Sequence, residues 1–190
     1  PRSGLSHLAV ATSPDGRTNW TIDPSRTFHP LEDSFAEHWG VEDPRITEIA
    51  GEYFIVYTGY SAGGPLVCLA TTRDFRTYER RGVLTSPEDK DAALFPVTIG
   101  GRYALVHRPV PTATFGAHIW ISFSPDLRHW GDATVVLPAR RGGWWDANKI
   151  GLSPPPLETK EGWLILYHGV RHTPAGCLYR LGLALLDLED

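Results

Sequence analysis

Short stretches of alternating apolar and polar residues recur along this chain in two forms. In the first form, an apolar stretch of a few residues leads into a turn that contains an aspartate. The second form begins at a glycine and then alternates aromatic and aliphatic residues, which is typical of a half-buried β-strand. The first form covers residues 8–16, 68–75, 119–127 and 181–188, and the second covers residues 51–57, 101–107 and 162–168.

These repeats predict an all-β fold. The aspartates of the first form are 59, 52 and 61 residues apart, and repeats of about 50 residues with four short strands each are typical of β-propeller blades. A β-sandwich is the competing all-β interpretation, but it would not repeat the same two-part unit. No segment has the spacing of apolar residues that a long helix requires. The chain is therefore predicted to contain three to four propeller blades.

A propeller with so few blades does not close, so we expect the chain to be part of a longer protein. The chain starts at Pro1 without an initiator Met and ends at Asp190 directly after an apolar stretch. Exposed strand edges and blade faces should then promote association, for example into a homo-oligomer. Residues 1–190 are interpreted as one partial propeller domain.

Composition and charge exclude several classes of function. The 190 residues are 42% hydrophobic with a net charge of −4, which fits a globular domain and argues against a nucleic-acid partner. No apolar run approaches the roughly 18 residues of a membrane span, so no membrane partner is expected. Cys68 and Cys177 have no metal-binding spacing and are predicted to be small buried side chains. Two unpaired cysteines fit a cytoplasmic location.

Five polar segments fall at two recurrent places, the entry of a blade and the end of its glycine-led strand. The first two have simpler interpretations, the first as an aspartate turn cap with a neighbouring arginine ion pair and the second as a solvated charged loop. Because equivalent positions of successive blades surround one axis, we expect their side chains to converge on one pocket. The segments are residues 40–47, 88–96, 107–109, 144–151 and 167–170, and the converging residues are Asp43, Lys90, Asp91, Arg108, Asp146, Lys149 and His168.

Six motifs in these regions, in this order, resemble glycoside hydrolase family 130, the β-mannoside phosphorylases and related β-mannosidases. They are Glu-Asp-Pro-Arg-Ile-Thr, Lys-Asp-Ala-Ala-Leu-Phe-Pro, His-Arg-Pro, Ile-Trp-Ile-Ser-Phe-Ser-Pro-Asp-Leu, Trp-Asp-x-x-Lys-Ile-Gly-x-x-Pro-Pro-Pro and Tyr-His-Gly-Val. The resemblance runs from about residue 6 to the end of the chain. It implies a five-bladed β-propeller.

The resemblance also implies an activity, the inverting phosphorolysis of β-mannosides to α-mannose 1-phosphate, with inorganic phosphate as co-substrate and no metal or other cofactor. The acid of this family matches Asp43, which is thought to protonate the glycosidic oxygen through a hydroxyl of the mannosyl residue. The basic residues around phosphate match Lys90, Arg108 and Lys149, with His168 nearby. Arg45, Asp91, Asp146 and Trp145 are assigned to substrate binding.

The choice of nucleophile separates the alternatives. An inverting glycosidase that uses water needs a second carboxylate as a base, about 6.5 to 9.5 Å from the acid. Phosphate is already anionic and instead needs cations that bind and orient it. The basic residues of this chain therefore favour phosphorolysis. An inverting β-mannosidase that uses water remains an alternative, as does a non-catalytic carbohydrate-binding propeller fragment.

The aromatic residues give a weaker signal. Trp39, Trp144 and Trp145 lie beside the proposed site motifs and are predicted to stack on sugar faces. Trp20, Trp130 and Trp163 occupy repeat positions and are predicted to lie in the core.

Overall fold

A computed structural model describes residues 4–110 and 116–187 of the chain. In this part every regular element is a β-strand, which confirms the all-β prediction, and no helix is long and apolar enough to cross a membrane. The chain ends, from which a longer protein was inferred, lie outside the described residues. The strands are β1 (Leu8–Thr12), β2 (Thr21–Phe28), β3 (Val41–Ile49), β4 (Glu52–Ser61), β5 (Gly64–Thr72), β6 (Glu79–Val83), β7 (Asp89–Leu94), β8 (Tyr103–Pro109), β9 (Ile119–Ser124), β10 (Gly131–Leu137), β11 (Lys149–Leu152), β12 (Leu157–Thr159), β13 (Gly162–Thr173) and β14 (Gly176–Leu186).

The strands form three antiparallel four-stranded sheets and one antiparallel pair. The pair is β1-β2, and the first two sheets have the orders β3-β4-β5-β6 and β7-β8-β9-β10. In the last sheet both β11 and β12 pair with β13, whose other side pairs with β14. The three prolines at 154–156 separate β11 from β12 because proline has no N–H for the ladder. The predicted three to four blades are confirmed.

The two repeated sequence forms occupy fixed places in these sheets. The glycine-led form is the second strand of each blade, as β4, β8 and β13. The aspartate-containing form supplies β1, β5, β9 and β14, and in the first three cases it includes the following turn. The repeats found in the sequence are therefore structural equivalents.

An aspartate closes the turn after β1, β5 and β9 in the same way. Asp74 accepts hydrogen bonds from the backbone N–H groups of Thr77 and Arg76 at 2.9 and 2.8 Å. These bonds, that of Thr77 first, lower the pKa of Asp74 to about 2, because they favour the charged carboxylate. Asp15 and Asp126 accept the corresponding bonds in their own turns. This local bonding explains why the aspartate recurs.

Apolar clusters between neighbouring sheets form the core. The clusters centre on Leu69 and Leu94 between the first two blades and on Ile165 between the second and third. Trp163 is buried and Trp130 packs against a cluster, as predicted. Trp20 is 56% exposed, so its assignment to the core was wrong, because it precedes β2, in a sheet of only two strands.

Of the two cysteines, one is buried and one is exposed. Cys68 is buried on β5, and burial raises its pKa to about 12, so it is not a reactive thiolate. Cys177 is exposed on β14, and the prediction that it is buried was wrong. The same strand exposes an apolar row, since Leu181, Leu183 and Leu185 are 74%, 68% and 52% exposed.

Two of the predicted blade-entry segments are bulged strands. The pairing of β3 with β4 shifts between Glu42 and Arg45, and that of β7 with β8 shifts between Lys90 and Ala93. Each bulge holds an aspartate with positive φ, 53° at Asp43 and 51° at Asp91. Aspartate tolerates this region better than most residues. The bulges thus re-aim the two carboxylates that the sequence singles out.

Candidate active site

Three of the predicted phosphate ligands line a single cavity of about 530 Å³. Lys90, Arg108 and Lys149 come from β7, β8 and β11, so two different blades contribute to its wall. The register pairs Lys90 directly with Arg108 across the β7-β8 ladder. A cavity with three basic residues from converging strands has the chemistry to bind a small polyanion.

The proposed acid lies beside this cavity. Asp43 leaves half of its side chain exposed, and its Oδ2 is 3.9 Å from Nζ of Lys90. The bulge of β3 therefore places a carboxylate within ion-pair distance of a cation from the neighbouring blade. An accessible carboxyl group next to a cavity with three basic residues is the pairing that acid-assisted attack by phosphate requires.

A buried ionic cluster supports the cavity wall. Asp91 is 4% exposed, and its Oδ2 accepts a hydrogen bond from Nε of Arg108 at 2.9 Å and forms an ion pair with Nη2 of the same guanidinium at 2.8 Å. Nε2 of His168 lies 3.5 Å from the same oxygen, and Nη2 of Arg45 lies 3.7 Å from Oδ1. Asp91 and His168 are thus brought together with Arg108, as the repeat predicts, and Arg45, which was not in the set predicted to converge, joins them.

The protonation of His168 is set mainly by burial. Burial lowers its pKa below the ordinary value of 6.5, and the neighbouring Asp91 carboxylate partly opposes this. The positive charges of Arg108, Arg45 and Lys149 lower the pKa further. At neutral pH the imidazole is therefore neutral, and it can serve as a hydrogen-bonding group but adds no positive charge to the cluster.

Two predicted substrate ligands lie in a different cluster. Asp146 is 2% exposed and accepts hydrogen bonds from Nε of Arg140 at 2.7 and 3.0 Å and from the Tyr167 hydroxyl at 3.2 Å. Trp145 stacks on the Tyr167 ring with 5.8 Å between centroids. Neither residue lines the cavity of Lys90. Their role in substrate binding stays a prediction.

Sequence reasoning missed several residues of the cavity wall. Tyr60 and His172 come from the far ends of β4 and β13, a few residues beyond the strand ends that the repeat highlighted. Asn148 accepts a hydrogen bond from the His172 backbone at 2.8 Å, and Glu88 precedes β7. Extending the repeat rule to the whole hairpin would have found Tyr60 and His172. Glu88 begins the polar segment 88–96 but was not among the residues expected to converge.

A second cavity adjoins the first at Asn148. Its volume is about 670 Å³ and its wall includes Arg140 and Arg141. Within residues 4–110 and 116–187, no group of three or more His, Cys, Asp or Glu side chains is arranged to hold a metal ion. Three of the residues that line the first cavity are basic, which suits an anion, and Glu88 is an acidic residue in the same wall.

Comparison with known proteins agrees with this chemistry. The family model described as beta-1,4-mannooligosaccharide phosphorylase matches residues 3–190. A beta-1,2-mannobiose phosphorylase of Listeria innocua is 38% identical over 99% of this chain and 51% of its own length. A 1,2-beta-oligomannan phosphorylase of Thermoanaerobacter is also 38% identical, over 98% of this chain and 60% of its own.

A solved structure extends the agreement to the fold. The chain is similar to the beta-1,2-mannobiose phosphorylase of Listeria innocua in complex with beta-1,2-mannobiose, with a TM-score of 0.86 and 38% identity. The similarity covers 97% of this chain and 50% of that one. The chain therefore spans about half the length of the relatives that it matches.

Proposed function

The chain belongs to glycoside hydrolase family 130, and we propose that the full-length protein is a β-mannoside phosphorylase to which this chain contributes the acid and three basic residues of the anion site. The observation that carries this proposal is the cavity shared by Lys90, Arg108 and Lys149 beside Asp43. Inorganic phosphate is the co-substrate, and no metal or organic cofactor takes part.

In the proposed reaction, phosphate attacks the anomeric carbon of the terminal mannosyl unit. The glycosidic C–O bond breaks as the new bond to a phosphate oxygen forms, with inversion to α-mannose 1-phosphate. Asp43 supplies the proton that the departing oxygen needs, through a sugar hydroxyl. The cations hold phosphate close to the anomeric carbon and offset its charge, which lowers the entropic cost of attack.

Phosphate is the nucleophile in this proposal because the side chains that line the cavity include three positively charged ones. Water would need a carboxylate base, whereas three basic side chains suit an anion that needs only to be bound and oriented. The β-1,2 linkage is the first one to test, because both relatives described above act on β-1,2-mannosides by name. A cytoplasmic location belongs to the same proposal and is supported by the two free cysteines.

Product analysis tests this function. The full-length protein is incubated with β-1,2- and β-1,4-mannobiose, with and without phosphate, and the products are separated. We expect mannose 1-phosphate, formed only when phosphate is present. Free mannose released regardless of phosphate would mean that water is the nucleophile, and mannoside binding without any turnover would indicate a carbohydrate-binding module.

A further inference from the structure

Arg45 connects the proposed acid to another blade through backbone oxygens. Its Nη1 donates a hydrogen bond to the carbonyl oxygen of Asp43 at 2.9 Å. Its Nε and Nη2 donate to the carbonyl oxygens of Ser153 at 3.0 Å and Leu152 at 2.8 Å. The guanidinium thus ties the bulge of β3 to the end of β11, and few of its N–H groups remain for a sugar.

Asp91 connects the basic residue Arg108 of the cavity wall to other strands, as Arg45 does for Asp43. Its carboxylate accepts the Nε–H of Arg108, forms an ion pair with Nη2 and faces Arg45 and His168, so three strands beside its own meet at this carboxylate. Arg108 turns its Nε and Nη2 toward Asp91, and its remaining N–H groups are left for an anion.

The backbone of β11 reserves space for this carboxylate. A Cβ atom at Gly151 would lie 2.0 Å from Oδ2 of Asp91 and 2.7 Å from Cε1 of His168. Any side chain at position 151 would therefore displace the carboxylate, the imidazole or both. The space at Gly151, the bulge that aims Asp91 and the contacts of Arg108 all fix one position for the same oxygen.

We propose that Arg45 and Asp91 are positioning residues and not sugar ligands. They hold the acid Asp43 and the anion-binding Arg108 in one rigid arrangement, because Arg45 contacts both Asp43 and Asp91. This inference rests on the proposed function. It differs from the assignment of both residues to substrate binding, which the sequence resemblance implies.

Kinetics of Asp91→Asn in the full-length protein separate the two roles. Asparagine keeps the size of the side chain but loses the charge-assisted bonds to Arg108. Bonds of this kind correspond to about ten- to hundredfold in affinity. We expect the KM for phosphate to rise by about that factor, while the KM for the mannoside changes less than about twofold. A larger rise in the mannoside KM, or tighter phosphate binding, would overturn the proposal.

Two further variants exclude simpler explanations. Asp91→Glu keeps the charge but moves the carboxylate, so a positioning role predicts that it does not restore the phosphate KM, and full restoration would contradict it. Asp132→Asn is the matched control. Asp132 also has positive φ and pairs with an arginine, Arg102, but its side chain is 71% exposed on the outer strand β10. We expect this control to keep both KM values.

Arg45→Lys tests the other half of the proposal. A single ammonium group cannot reach the three carbonyl oxygens that the guanidinium contacts, so the backbone that carries Asp43 loses its tie. We expect kcat to fall by about tenfold or more with little change in either KM. An unchanged kcat, or a loss confined to the mannoside KM, would contradict the positioning role.

The same variants remain informative if the proposed function fails. Wild-type turnover decides the function by itself. In its absence, calorimetric titration with inorganic phosphate still measures whether Asp91→Asn weakens the anion site relative to wild type and Asp132→Asn. Equal phosphate affinities in all three proteins would overturn the positioning role of Asp91.

Discussion

Replacing Asp146 by asparagine distinguishes a structural carboxylate from a sugar ligand. Asp146 is 2% exposed and is bonded to the Arg140 Nε and the Tyr167 hydroxyl. Asparagine preserves the volume, removes the charge and weakens both bonds. We therefore expect a loss of stability without a loss of substrate affinity.

The size of the stability loss depends on how deeply the Asp146–Arg140 ion pair is buried. Breaking a fully buried ion pair costs about 3–5 kcal/mol, since an unpaired charge remains buried. Here the Arg140 side chain is 39% exposed and can turn to water, so that upper range does not apply. The loss of charge-assisted hydrogen bonds alone costs about 2 kcal/mol. We expect the free energy of unfolding to fall by about this amount.

Urea unfolding of the full-length protein measures this change. With an m-value of about 2 kcal/mol per molar urea, the midpoint should move down by about 1 M. Asp132→Asn is again the control, because an exposed pair such as Asp132 with Arg102 contributes about 0–1 kcal/mol. The KM for the mannoside should stay within about twofold of wild type.

The opposite pattern would refute this reasoning. If Asp146 contacts the sugar, the variant should raise the mannoside KM by about tenfold or more and leave the urea midpoint unchanged. A second readout comes from Tyr167, whose pKa is raised by burial first and by the Asp146 charge second. Asp146→Asn should bring the pKa of Tyr167 closer to its ordinary value.

Three further predictions concern the cavity itself. Asp43→Asn should abolish phosphorolysis while calorimetry still detects mannoside binding, and retained turnover would reject Asp43 as the acid. Lys149→Met should raise the KM for phosphate by about tenfold. The melting temperature should stay unchanged, because Lys149 is only partly buried and its Nζ makes only a long contact, 5.8 Å, with the centre of the Tyr179 ring. An equal rise in the mannoside KM would argue against a dedicated anion site. Because burial places the pKa of His168 below 6.5 in the folded protein, the unfolded chain binds more protons in the interval below about pH 6.5. Stability should therefore fall as the pH drops through that interval, and melting temperatures of His168→Gln should show a smaller decline than wild type; identical pH profiles would contradict the assignment.

The sequence was sufficient to locate the strands that repeat from blade to blade. Alternation after a glycine located β4, β8 and β13, and the recurring aspartate located β1, β5, β9 and β14, because both signals are local. The bulges at Asp43 and Asp91 could not be read in this way. Their positive φ and shifted register depend on pairing with β4 and β8, so the sequence placed these residues at blade entries without indicating the bulges.

The register of the third blade separates Asp146 from the residues that surround the cavity. Counting from the glycine aligns His168 with Tyr57 and His107, but the core contacts align Tyr167 with them instead. Ile55 and Tyr57 pack toward the preceding sheet, and Ile165 and Tyr167 do the same in the third blade. The third blade is thus shifted by one residue relative to the glycine count, and a shift of one places a side chain on the other face of a strand.

When the third blade is aligned with this shift, the three blades share one equivalent side-chain hydrogen bond. A buried carboxylate that precedes or begins each blade contacts the same position of its second strand: Glu37 with the Tyr57 hydroxyl at 2.6 Å, Asp89 with Nδ1 of His107 at 2.6 Å, and Asp146 with the Tyr167 hydroxyl at 3.2 Å. The next residue of that strand is Thr58, Arg108 or His168, and in the last two blades it contacts Asp91. Asp146 therefore belongs with Glu37 and Asp89, which fix the strands, and not with the row that faces the cavity. This equivalence is the reason to expect that its loss affects stability before substrate affinity.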